Sequence, residues 1–131
     1  MPSRDRVEEF IAVVVSGEHV RAITDFYHPD ASMQENLEAP RKGREVLEAH
    51  EAAALARAAS VHTHPAPAFV VDGDHVVINW TFDFTDKKGI TRRLEELAFQ
   101  QWDGDRIRTE RFFYDTASAW TAIPITEDSS L

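Results

Sequence analysis

Apolar positions recur at three- and four-residue steps in the first part of the chain and at two-residue steps in the second. Val7, Phe10, Ile11, Val14 and Val15 form one stripe, which predicts a helix. It opens near Ser3 or Asp5, since Asp5 and Glu8 have capping-box spacing, and it ends at Ser16-Gly17. A second, short helix in EHVRAITDF puts Val20, Ile23 and Phe26 on one face, and the ring of Pro29 breaks it. The polar segment ASMQENLEAPRK then leads to a third helix in GREVLEAHEAAALARAAS, residues 43–60. Its alanines favour helix but supply little volume, so it either packs close against a neighbour or leaves space beside it.

The period then shortens to two. Strand-like runs FVV, HVVINWTFDF, ITRRLEELAFQQW and RIRTERFFYD are separated by Asp72-Gly73-Asp74, Asp86-Lys87-Lys88-Gly89 and Asp103-Gly104-Asp105. Gly supplies the positive φ of a tight turn, so these three signals predict four antiparallel strands joined by hairpins. Helices first and a sheet afterwards make an α+β fold with helices over one sheet face. On HVVINWTFDF one face carries Val77, Asn79, Thr81 and Asp83, and the other carries Ile78, Trp80, Phe82 and Phe84. Burial of the aromatic face would leave Asn79, Thr81 and Asp83 in solvent; the opposite choice would enclose them.

At 131 residues the chain holds one domain, 1–131, with a core over about 5–116 and a tail over 117–131. Fourteen Lys and Arg against twenty-three Asp and Glu give a net charge of −9, which repels phosphate backbones and anionic lipid, so neither nucleic acid nor membrane is an expected partner. The apolar runs fall short of the roughly 18 residues that cross a bilayer. MPSRDRVEEF lacks a cleavable apolar stretch, so the expected location is cytoplasmic. With no cysteine, disulfides, thiolate catalysis and Cys-based zinc are excluded.

Taken in order, FYHPDASMQEN, KGREVLEAH and the final RFFYD resemble the nuclear transport factor 2-like superfamily, within it the SnoaL-like polyketide cyclase and limonene epoxide hydrolase branches. The resemblance implies a cone-shaped curved antiparallel sheet wrapped around three N-terminal helices, the cystatin-like α+β barrel. It also implies an apolar pocket for a small molecule, no cofactor, and a homodimer. In this reading the face with Asn79, Thr81 and Asp83 lines the pocket. Asn36 then falls where the epoxide hydrolases place a water-holding asparagine, and Asp83 where they place an acid. Thr81 replaces the family's arginine, Phe112 its second aspartate and Gln34 its tyrosine.

The expected catalytic set is therefore Asp83 as acid or base, His62 as its partner and Asn36 as the water holder. Glu96 is an alternative partner for His62. An enclosed carboxylate beside an imidazole can be tuned for proton transfer near neutrality. Tyr114, Phe112, Leu94, Glu96 and Gln34 are the expected substrate contacts. His62 and His64 could reach one ion, completed by Asp83 or Glu96, but no metal is the preferred reading. Duller roles suit the rest: Arg92 and Arg93 pair with Glu95 and Glu96 on a wet face, Arg111 pairs outward, and Asp115 caps the turn after it. Trp120 covers the pocket mouth or packs on a partner, and the tail ITEDSSL is disordered. Trp80, Phe82 and Phe84 need cover, which points to a dimer. Two functions fit: a cofactor-independent isomerase, cyclase or hydrolase acting by proton transfer on a small apolar molecule, or a noncatalytic dimeric ligand-binding domain.

Overall fold

The computed structural model describes residues 1–123. Helices α1 (Arg4–Val15) and α2 (His19–Phe26) are followed by strands β1 (Tyr27–Glu35) and β2 (Arg41–Lys42), then by helix α3 (Arg44–Ala56). Strands β3 (Ala58–Thr63), β4 (Phe69–Asp72), β5 (His75–Asp86), β6 (Thr91–Asp103), β7 (Arg106–Phe113) and β8 (Thr121–Ala122) complete the order. The tail ITEDSSL lies outside the described residues.

Ser3, not Asp5, caps α1, its side chain accepting the Arg6 N–H at 3.1 Å. Gly17, at φ 95°, takes the left-handed conformation that turns the chain into α2. That helix buries His19, Ala22, Ile23 and Phe26, so its apolar face is rotated by one residue from the expected Val20 stripe. It stops at Phe26, before Pro29, and the polar segment ASMQENLEAPRK is largely strand. Pro29 and Asp30 lie exposed in β1, where its register with β7 shifts between Tyr27 and Ser32; a bulge is where a strand tolerates a residue without an N–H. Similarly, α3 ends at Ala56, and Ala58 to Ser60 pair with β5 instead of extending the helix. Alanine's helix preference is a few tenths of a kcal/mol, too weak to outweigh a ladder of backbone hydrogen bonds.

The main sheet path runs β2-β1-β7-β6-β5-β3, with β4 also on β5 and β8 on β6. Every pairing is antiparallel except β1 with β7, which is parallel, so the expected antiparallel sheet is in fact mixed. The chain passes through β2, α3 and β3 to β6 before β7 returns to lie beside β1, whose other neighbour is the short edge strand β2. β3 and β4 cover two halves of one β5 edge, and β7 and β8 two halves of one β6 edge. Such a sheet curls, and its concave side receives the helices.

Register decides the faces. Trp80 pairs with Glu96, Phe82 with Leu94 and Ile78 with Ala98, so Val76, Ile78, Trp80, Phe82 and Phe84 face the helices. Trp80 is only 2% exposed, and Phe10 of α1 meets it edge-on at 6.3 Å between ring centroids. The aromatic face is thus covered within the chain and does not call for a second subunit. No helix among the described residues is long and apolar enough to cross a membrane.

Candidate active site

Helices and sheet do not fill the concave side. A cavity of about 440 Å³ remains, walled by Val14 of α1, Ala22 and Ile23 of α2, Ala54 of α3 and the inner residues Trp80, Phe82, Phe84, Leu94 and Phe112 of the sheet. The small side chains of Ala22 and Ala54 leave room there. Trp120 closes part of the mouth: its N–H donates to the Arg93 carbonyl at 2.9 Å, β8 anchors the segment to β6, and its ring meets Phe84 at 4.7 Å.

Polar groups converge on this mostly apolar space. Glu96 is 8% exposed, lines the cavity, and has no hydrogen-bond partner among the described residues. Burial, reinforced by the charges of Glu110, Glu35 and Glu51, pushes its carboxyl up from the ordinary 4.5 to about 8. Glu110 is buried deeper and is raised less, to about 7, because hydrogen bonds from Gln100 and Tyr27 favour its carboxylate. Gln100 Nε2 donates to Glu110 Oε2 at 2.7 Å, and the Tyr27 hydroxyl donates to Oε1. Trp102 Nε1 donates in turn to Gln100 Oε1 at 2.9 Å, which fixes the amide's orientation. Burial, then the Glu110 charge, holds the Tyr27 phenol well above its usual range.

Three further pairs surround these carboxyls. Arg41 Nη1 lies 3.1 Å from Glu35 Oε2, and the Tyr114 hydroxyl donates to Glu35 Oε1 at 3.2 Å. Burial and Glu35 push Tyr114 up to about 12. Arg92 Nη1 lies 2.8 Å from Asp86 Oδ2. His19 is held between Thr63, 2.8 Å from Nε2, and Glu51, 3.4 Å from Nδ1.

Of the residues singled out from the sequence, Leu94, Glu96 and Phe112 line the cavity. Tyr114 reaches it only through Glu35. Gln34 points to the opposite side of the sheet, its Nε2 donating to the Glu38 carbonyl at 3.0 Å. Asp83 and His62 are paired across β3 and β5 on the convex face, so neither faces the cavity. Asp83 is buried there by Arg93, whose Nε and Nη2 donate at 2.8 and 3.0 Å, and by His64 Nε2 at 2.7 Å; His62 stays exposed. Arg93, then His64, hold the Asp83 carboxyl below its ordinary 3.8 against the opposing effect of burial.

Asn36 is likewise committed to the backbone. At φ 48° it ends β1, its Oδ1 accepting the Tyr114 N–H at 3.0 Å, and its carbonyl accepts from Arg111 Nε at 2.8 Å. Asn36 does not line the cavity. The ion pairs expected between Arg92, Arg93 and the β6 glutamates go instead across the ladder to Asp86 and Asp83. Glu96 sits on the other side of the sheet from His62 and His64, and among the described residues no three His, Asp or Glu side chains converge as metal ligands. Asp115 does cap its turn, its Oδ1 accepting the Ala117 N–H at 2.9 Å.

Sequence reasoning passed over His19, Tyr27, Glu35, Arg41 and Glu51. One signal was present for the first: His19 precedes Ala22, Ile23 and Phe26 at helical spacing, a polar residue on a buried stripe.

The family model for SnoaL-like domains matches residues 7–113. This chain belongs to that family. Solved structures of similar fold include a cystatin-like protein from Xanthomonas campestris, 17% identical over 90% of this chain and 95% of that one, TM-score 0.75. TerC co-crystallised with polyporic acid is 17% identical over 86% and 91%, TM-score 0.71. A limonene epoxide hydrolase-like epoxide hydrolase from M. tuberculosis is 15% identical over 88% and 84%, TM-score 0.71. No curated protein matched the sequence.

Proposed function

We propose that the cavity binds a small, mostly apolar molecule and transfers a proton on it without a bound cofactor, as an isomerase, cyclase or hydrolase, with Glu96 as acid and Glu110 as base. One observation carries this reading: Glu96 is a buried carboxyl, without a hydrogen-bond partner among the described residues, that opens on an apolar space. With its pKa at about 8, roughly nine in ten Glu96 side chains are protonated at pH 7 and can donate to a carbonyl or epoxide oxygen. Glu110, whose ionised form is favoured by hydrogen bonds from Gln100 and Tyr27, can accept a proton from carbon or water. Two carboxyls on one cavity, Glu96 without a hydrogen-bond partner among the described residues and Glu110 with two hydrogen bonds that favour its ion, supply the two halves of the transfer. The proton lost by Glu96 and the one gained by Glu110 equilibrate with solvent through the mouth. An epoxide hydrolase and a protein crystallised with polyporic acid on the same fold support a cavity of this use.

The test is a panel of small epoxides and enolisable ketones, followed by NMR in D2O for ring opening or hydrogen–deuterium exchange. Turnover that falls at least about 100-fold in Glu96→Gln is expected. Turnover unchanged in that variant would remove Glu96 from the reaction.

A second reading, a noncatalytic ligand-binding domain, is favoured by Phe112, an aromatic wall where the resemblance places an acid. Under either reading we propose a homodimer. Leu97, Phe99 and Phe113 are 46%, 45% and 42% exposed on the convex face, and Leu97 and Phe113 are direct cross-strand partners.

A further inference from the structure

The charges around the cavity are unequally matched. Arg41 is taken by Glu35, Arg92 by Asp86, and His19 faces Glu51. Two carboxyls, Glu96 and Glu110, remain without a cation among these pairs. Glu110 has both oxygens engaged, by Tyr27 and Gln100. Glu96 alone is more than nine-tenths buried, faces the cavity and has its oxygens uncommitted among the described residues. Around it stand the π faces and edges of Trp80, Phe82, Phe84, Phe112 and Trp120. Aromatic walls attract a cation through their quadrupoles, and more strongly where water is excluded. A buried carboxyl among other carboxyls is stabilised by a positive partner and by little else.

We propose that the molecule bound in this cavity carries a basic nitrogen, an amine or imine within an otherwise apolar skeleton, which pairs with Glu96 inside the aromatic walls. This rests on the reading of the same cavity as a small-molecule site and names the class of its ligand, whose nitrogen takes the place of a carbonyl or epoxide oxygen as acceptor of the Glu96 proton. A neutral amine takes the Glu96 proton, giving ammonium and carboxylate. An ammonium that enters already charged releases that proton to solvent. The exposed His50 and Arg57, which also line the cavity, do not oppose this, because water screens them, whereas the groups facing Glu96 from β7, β1 and α3 are Glu110, Glu35 and Glu51.

The experiment compares two probes of one shape, benzyltrimethylammonium and its uncharged isostere neopentylbenzene, by tryptophan fluorescence and calorimetry on the full chain. The cation is expected to bind at least about tenfold more tightly, with release of protons to the buffer at pH 7. Glu96→Gln, checked for folding by thermal melting, should lose most of that preference while keeping the isostere's affinity. Equal affinity of the two probes for the native chain, binding of neither, or full preference retained in Glu96→Gln would overturn the proposal. The first comparison needs no variant. If preference for the cation is absent while Glu96→Gln still stops turnover of uncharged substrates, only the ligand class falls. If preference is present and no turnover is found, the ligand class stands in a noncatalytic pocket.

Discussion

Asp83 stands across the β5–β6 ladder from Arg93, which donates to both its carboxylate oxygens at 2.8 and 3.0 Å. That pairing places Asp83 on the convex face and, three residues further along β6, Glu96 on the concave one. A single register therefore separates a structural carboxylate from the one that opens on the cavity.

Asp83→Asn should lower the melting temperature by several degrees, reflecting about 1–3 kcal/mol, because it removes the charge from the buried carboxylate that accepts from both Arg93 and His64. The direction is opposite to that expected of an enclosed catalytic acid. Cavity ligands should bind unchanged. The folded pKa is depressed, so this contribution is present above the ordinary value of 3.8 and is lost as pH falls through the folded one. Acid titration of the melting temperature in native and Asp83→Asn chains reads this directly, with the difference between them shrinking toward low pH.

Glu96 behaves in the reverse sense. Its folded pKa, about 8, lies above the ordinary 4.5, so the unfolded chain ionises first and stability is lost progressively as pH rises from about 4.5 to about 8. Glu96→Gln should melt close to the native chain at pH 4. At pH 9 it should be more stable, by on the order of 2–4 kcal/mol. Scanning calorimetry at the two pH values checks it; a variant that is less stable at pH 9 contradicts the burial argument.

Gln100→Leu removes the amide that joins Trp102 to Glu110. Both partners are then buried short of a hydrogen bond, and a loss of about 2–4 kcal/mol is expected by chemical denaturation. The pKa of Glu110 should move further up, since one of the two bonds that favour its carboxylate is gone. Carboxyl-carbon NMR would register the move.

Light scattering should give twice the chain mass of 14.9 kDa at micromolar concentration, and Phe99→Glu should halve it without lowering ligand affinity. A native monomer would leave Leu97, Phe99 and Phe113 without the proposed partner.

Local pattern by itself determined the helices, the three hairpins and the order of helices before sheet. The 3.6 and 2.0 periods and the Asp-Gly turns act over a few residues and leave direct marks in composition. It also carried the alternation that puts Leu94 and Glu96 on one face of their strand and Ile78, Trp80, Phe82 and Phe84 on one face of theirs. Which of two faces is concave is not a local property. Tertiary structure decided it through the turn at 86–90, where Asp86 N–H donates to the Ile90 carbonyl and sets Asp83 opposite Arg93. Asp83 and Leu94 could not both face inward under that register, since a one-residue slip exchanges the faces of a strand. The same holds for β1, whose polar sequence becomes a strand only because β7, far along the chain, offers a parallel partner. Tyr27 and Glu35 of β1, Arg41 of β2 and Glu51 of α3 come from three elements, and only their packing around one hollow gives their charges a common effect. Desolvation, which raises Glu96, depends on the whole enclosure and not on any neighbour in sequence.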